Sequence, residues 1–250
     1  MSSIDSKLAE LVERLRGAAK KNLESVVLFG SAARGDFWKS HSDLNVFCTL
    51  RALTLEELGP LSPVVRWWIR KQKQPAPLFF TAQELVRSAD VFAIELLDMQ
   101  RNHQVLYGTD VLTEIVVPMN LHRVQVEHEL RTMLLKLRQH YLQGSEDQDA
   151  LRAILSKSYS GALTLLRHAL IALGQEPPIA PREVFARISA ETGTDAGAFD
   201  AGLELRETGK LSKNLVSAYG AYLSAFEKVI SVLDQHLPKK EWKRTPSTDS

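Results

Sequence analysis

The chain contains a single cysteine, Cys48, so no internal disulfide can form, and such sparing use of cysteine fits a reducing compartment. It carries almost no net charge: 31 basic residues against 30 acidic ones leave +1. Without a broad basic field, nucleic acid is not expected as an obligate partner, although Arg66, Arg70, Lys71 and Lys73 crowd one short segment. No apolar run approaches the roughly twenty residues that a membrane-spanning helix needs. Nor does the N-terminus run from charged to apolar as an export signal does, so a cytoplasmic protein with no membrane partner is expected. Acids are missing from one interval in particular, since no Asp or Glu lies between Glu57 and Glu84. What remains is an ordinary globular composition. Hydrophobic residues make up 44% and charged ones 24% of 250 residues, which is enough for one large domain or two small ones.

The most informative stretch is Val26 to Leu50, VVLFGSAARGDFWKSHSDLNVFCTL. Val26-Val27-Leu28-Phe29 is a short apolar run of strand-forming residues, and it stops at Gly30-Ser31. A polar loop follows, and Leu44-Asn45-Val46-Phe47-Cys48 then reads as a second strand. Within it, Cys48 reads as a small buried hydrophobe and not as a nucleophile. A glycine-serine turn after a strand suits phosphate, because Gly30 lets a ligand approach the backbone and Ser31 adds a hydroxyl beside loop N–H groups. Asp43, at the mouth of the second strand, would hold a divalent metal against the same phosphates, since hard cations take carboxylate oxygens. Arg34 could present a guanidinium to phosphate, and Asp36 could add charge. Read without a ligand, the same stretch is a β-hairpin with a long loop.

This combination resembles the signature of the DNA polymerase β-like nucleotidyltransferase superfamily, in which an apolar strand, Gly-Ser and a spacer precede Asp-x-Asp. The residues that carry the resemblance are Phe29-Gly30-Ser31, Arg34-Gly35 and Ser42-Asp43-Leu44-Asn45. It implies an α/β (α+β) nucleotidyltransferase domain with a small mixed sheet, Mg²⁺ as the metal, and a nucleoside triphosphate, ATP first, as the cofactor. Asp43 and Asn45 become the metal ligands, and Gly30, Ser31 and Arg34 the nucleotide-binding residues. The motif is degenerate, because the second acid is Asn45, which brings an amide oxygen and no charge. The superfamily's third acid belongs on a later strand, and the next strand expected here, Pro75 to Thr81, lies in the acid-free interval. Glu95 and Asp98 are the candidate replacements, either as a missing carboxylate or as the base for an acceptor hydroxyl. They share a face if Ala89–Asp98 is helical and oppose each other if it is a strand, and periodicity leaves both open.

Outside this stretch the pattern is mostly helical. Residues 4–21 carry a helix-period stripe through Ile4, Leu8, Leu11, Val12 and Leu15. Thr54 with Glu57, and Thr81 with Glu84, have the spacing of helix caps. Trp67-Trp68 offers either helix core or a surface on which a base could stack. Leu106-Tyr107-Gly108 ends the region at a glycine turn. Beyond it, about five helices with short connections predict an all-α antiparallel bundle. The expected divisions are residues 1–115, the nucleotidyltransferase-like domain; 120–238, the bundle; and 239–250, a frayed polar tail. Arg123 and His128 have the spacing of HEPN ribonucleases, but Val124 replaces the usual polar residue, and the pair reads as coincidence.

The layout looks like that of aminoglycoside nucleotidyltransferases, whose bundle helps bind the acceptor, and of minimal nucleotidyltransferases paired with HEPN partners. The expected function is transfer of a nucleoside monophosphate from a nucleoside triphosphate to a hydroxyl. The acceptor is an unidentified small molecule or protein. The alternative is a catalytically degenerate fold that binds a nucleotide or a protein without turnover. If the bundle self-associates, a homodimer is the expected form.

Overall fold

The computed structural model describes residues 3–34, 43–212 and 214–236. The chain divides into two compact units, Met1–Pro118 and Met119–Ser250. The expected tail at 239–250 lies outside the described residues, as does Asp36.

The first unit is built on a four-stranded mixed sheet. Helix α1 (Ser3–Ala19) leads into β1 (Leu23–Phe29), which is followed by a single helical turn, α2 (Ser31–Arg34). Strand β2 (Asn45–Leu50), the short helices α3 (Leu55–Leu58) and α4 (Ser62–Lys71), and β3 (Leu78–Phe80) come next. Helices α5 (Ala82–Arg87) and α6 (Ala93–Arg101) then precede β4 (His103–Gly108). The spatial order is β3-β2-β1-β4, with β1 antiparallel to both neighbours and β2 parallel to β3.

Both faces of this sheet are covered, so its central strands are apolar on both sides instead of alternating. Val26, Leu28, Val46 and Cys48 pack with Leu8, Leu11 and Leu15 of α1 and Trp68 of α4. Val27 and Phe47 face the other way, onto Leu85, Leu96, Met99 and Leu112. Burial pushes the Cys48 thiol up to about 12, so it has no thiolate character at neutral pH.

Three sequence expectations change in detail. The third strand is confined to Leu78–Phe80, because Pro75 and Pro77 cannot donate ladder hydrogen bonds. Ala89–Asp98 resolves as turn and then helix, with Phe92 at the cap and Glu95 in the first turn of α6. The segment expected only as a glycine turn is a strand, β4, whose alternation is blurred by partly buried positions on both sides. Gly108 at its end has φ +78, and a side-chain carbon there would sit 1.8 Å from the Glu24 carbonyl oxygen. Only glycine fits that crossing.

The second unit contains α7 (Met119–Gly144), α8 (Gln148–Ala172), α9 (Pro181–Thr192), α10 (Asp200–Thr208) and α11 (Leu215–Gln235). Helices α7 and α8 form an antiparallel hairpin across a short turn in which Asp147 caps α8 through the Asp149 and Ala150 N–H groups. Their core seam runs through Leu130, Leu134 and Leu137 and through Leu151, Leu155 and Leu166. An aromatic cluster closes the unit, with Phe199 5.5–5.8 Å from the rings of Phe185, Tyr222 and Phe226. No helix among the described residues is long and apolar enough to cross a membrane.

Candidate active site

The sheet register brings the two halves of the motif together. Phe29 at the end of β1 pairs with Asn45 at the start of β2, so the glycine turn leaves the sheet beside the strand that carries Asn45. Gly30 takes a left-handed conformation, φ +80, and a carbon added to it would lie 3.5 Å from the Asn45 amide nitrogen. The carboxamide of Asn45 therefore sits against the bare face of Gly30. The Gly30 carbonyl accepts from the Ala33 N–H at 3.1 Å, which closes the turn into α2.

Asp43 is exposed and immediately precedes Leu44, which is only 2% exposed. The Leu44 N–H donates to the Gln74 side-chain oxygen at 2.8 Å, which anchors the residue after Asp43 at the mouth of β2.

Asn102, the residue after α6, is a member of the site that sequence reasoning missed. Its carbonyl accepts the Gly30 N–H at 2.9 Å, so that donor is engaged by the protein and not offered to phosphate. The Asn102 side-chain nitrogen lies 3.1 Å from an Asp98 carboxylate oxygen. Asp98 is thereby connected to the glycine turn through one residue, while Glu95 lies a turn earlier on α6, exposed to solvent. No sequence signal marks Asn102; it matters because the β4 register sets His103 opposite Phe29, next to the turn. Ser31 and Arg34 stand at the two ends of α2, and their side chains lie outside what is described.

Strand β3 supplies no acid. Its ladder with β2 pairs Leu78, Phe79 and Phe80 with Phe47, Cys48 and Thr49 and does not extend to Asn45. Among the described residues no group of three or more His, Cys, Asp and Glu could hold a metal. The donor set present, one carboxylate and one amide oxygen, fits a Mg²⁺ that arrives with its nucleotide, because Mg²⁺ is commonly held by one or two carboxylates plus phosphate oxygens.

Other sequence candidates take structural roles. Trp68 is fully buried, and the Arg14 guanidinium lies 4.2 Å from the centre of the Trp67 ring. Arg123 donates to Glu127 and to the Leu233 carbonyl, which accounts for it without His128. A hollow of about 350 Å³ lined by Glu24, Val86, Asp110 and Glu114 lies towards the start of β1, away from Gly30.

The structure is similar to that of spectinomycin adenyltransferase AAD(9) from Enterococcus faecialis, solved with ATP and spectinomycin. The TM-score is 0.53 at 15% identity, over 92% of this chain and 99% of that one. The two chains share a fold. No family model matches the sequence, and no curated protein matches it. At this identity the likeness establishes the α+β sheet domain with a helical C-terminal part, and the chemistry rests on the residues themselves.

Proposed function

We propose that the chain is a Mg²⁺-dependent nucleotidyltransferase that moves a nucleoside monophosphate, AMP first, from its triphosphate to a hydroxyl on a small molecule. The observation that carries this reading is the pairing of Phe29 with Asn45, which sets the Gly30 turn and the Asp43–Asn45 strand side by side at one end of the sheet. Asp43 and the Asn45 amide oxygen would hold the metal, which, when bound, neutralises phosphate charge. The turn at Gly30 and Ser31 would seat the triphosphate, with the Arg34 guanidinium as a further phosphate partner. Asp98, held through Asn102, would take the proton of the acceptor hydroxyl as its oxygen bonds to the α-phosphorus and the bond to pyrophosphate breaks. With Asn45 in place of an acid and no acid on β3, fewer carboxylates hold metal against the phosphates, so turnover should suffer more than binding.

Purified protein incubated with ATP, Mg²⁺ and spectinomycin, the acceptor bound by the structural neighbour, tests the reading. The expected result is pyrophosphate release with an adenylated product, lost in Asp43→Ala and reduced more by Asp98→Asn than by Glu95→Gln. Transfer that survives Asp43→Ala overturns the assignment. Nucleotide binding without pyrophosphate release, across a panel of hydroxyl acceptors, would instead support a non-catalytic nucleotide-binding module, the reading that the acid-free β3 favours.

A further inference from the structure

A second hollow, of about 390 Å³, lies within the helical unit, along the α7–α8 hairpin. Its floor is apolar, built from Met133 and Leu137 of α7 and Ile154 and Leu165 of α8. Lys136 and Lys157 also line it. The size falls within the range of small-molecule clefts.

Two independent observations mark this hollow as more than a gap between helices. The first is Gly161, in the interior of a 25-residue helix, α8. Glycine there costs about 1 kcal/mol relative to alanine, and a side-chain carbon at this position would sit 3.2 Å from Met133 Cε. The missing side chain lets Met133, part of the floor of the hollow, lie close against α8. The second is charge. Of the five arginines of the same two helices, Arg123, Arg131, Arg138 and Arg152 each meet a carboxylate, and Arg167 donates to the Ile179 carbonyl. Lys136 and Lys157 make no ion pair or side-chain hydrogen bond among the described residues. His140 also lines the hollow, and Glu129 is the one acid in the lining, with His128 4.0 Å from it. An apolar floor lined by two ammonium groups that form no ion pair, against one carboxylate, selects a ligand with an apolar body and one anionic head.

We propose that this hollow is a binding site for a small anionic amphiphile, a carboxylate or phosphate on an apolar body of about ten heavy atoms. The body lies over Met133 and Ile154, and the head sits between Lys136 and Lys157. The site belongs to the helical unit alone and does not depend on nucleotide chemistry at Asp43.

Octanoate titrated into the full-length protein tests it, with octanamide as the uncharged counterpart and inorganic phosphate as the head without a body. Calorimetry gives affinity and stoichiometry, and a ¹³C-methyl label on the methionines gives location, since Met133 is one of only four. The expected result is saturable binding of one octanoate that shifts the Met133 methyl and leaves Met99 unmoved. Octanamide and phosphate should each bind at least about tenfold more weakly, and the double variant Lys136→Ala/Lys157→Ala should lose octanoate by a similar factor. Gly161→Ala, which crowds Met133 out of its place in the floor while sparing both lysines, should weaken octanoate and octanamide alike. No saturable octanoate binding, equal affinity for octanamide, binding unchanged in the double variant, or an unmoved Met133 methyl would each overturn the proposal.

Discussion

Two glycines separate backbone strain from steric exclusion at the scale of single residues. Gly108 and Gly174 have nearly the same left-handed φ, +78 and +79, but a carbon on Gly108 would strike the Glu24 carbonyl while one on Gly174 meets nothing within 4 Å. Gly174→Ala should therefore cost only the strain of the conformation, about 1–2 kcal/mol. Gly108→Ala should cost about 3–5 kcal/mol, because β1 and β4 must part. Urea denaturation of the two variants checks the difference, and equal losses would contradict it. Asn45 gives a second residue-scale prediction. Asn45→Asp supplies the carboxylate that the motif lacks and should tighten Mg²⁺-dependent nucleotide binding by about tenfold, because ligand charge sets affinity for hard cations.

Glu127 gives the third. Burial alone would raise its carboxyl, but hydrogen bonds and charge from Arg131 and Arg123 bring it below the usual carboxylate range. A carboxyl depressed in the folded state adds stability that is present above its unfolded value, about 4.3, and is lost as pH falls through the folded value. Glu127→Gln should accordingly lower the melting temperature clearly at pH 7 and by much less at pH 3. An equal loss at both pH values would show that the pair contributes by shape and not by charge.

At the scale of elements, caps were the most legible feature of the sequence. Thr81 and Glu84 form a full capping box on α5, with the Thr81 hydroxyl accepting from the Glu84 N–H and the Glu84 carboxylate accepting from the Thr81 N–H. Thr81→Ala should cost about 1 kcal/mol by chemical denaturation; no measurable loss would mean that packing of Leu85 alone holds the helix. The strand β1, its glycine turn and β2 were legible for the same reason, since local composition and spacing suffice to specify them. β4 was not legible, because His103-Gln104-Val105-Leu106-Tyr107 owes its strand state to pairing with β1, a contact between residues far apart in sequence. Ala89–Asp98 stayed ambiguous because short apolar runs satisfy both periods, and packing of Ala93, Leu96 and Met99 beneath the sheet decided for helix. Asn102 escaped notice on similar grounds, since its role lies in a carbonyl and an amide aimed at Gly30 and Asp98.

At the scale of the molecule, the chain pairs a mixed-sheet unit with a helical one, and each has a core of its own. The α+β class followed from the resemblance carried by Phe29-Gly30-Ser31 and Asp43-Leu44-Asn45, and the helical second part from its helix-period stripes. Function was readable only as far as the motif allowed, and the structure adds that β1 and β2 hold Gly30 and Asn45 in contact. The proposed activity stands or falls with Asp43 as a metal ligand beside Asn45. Calorimetric titration of the full-length protein with ATP, with and without Mg²⁺, in wild type and Asp43→Ala, checks this. Binding that requires Mg²⁺ and disappears in the variant is the expected result. Binding of equal strength without Mg²⁺, or no binding under any of these conditions, would contradict it.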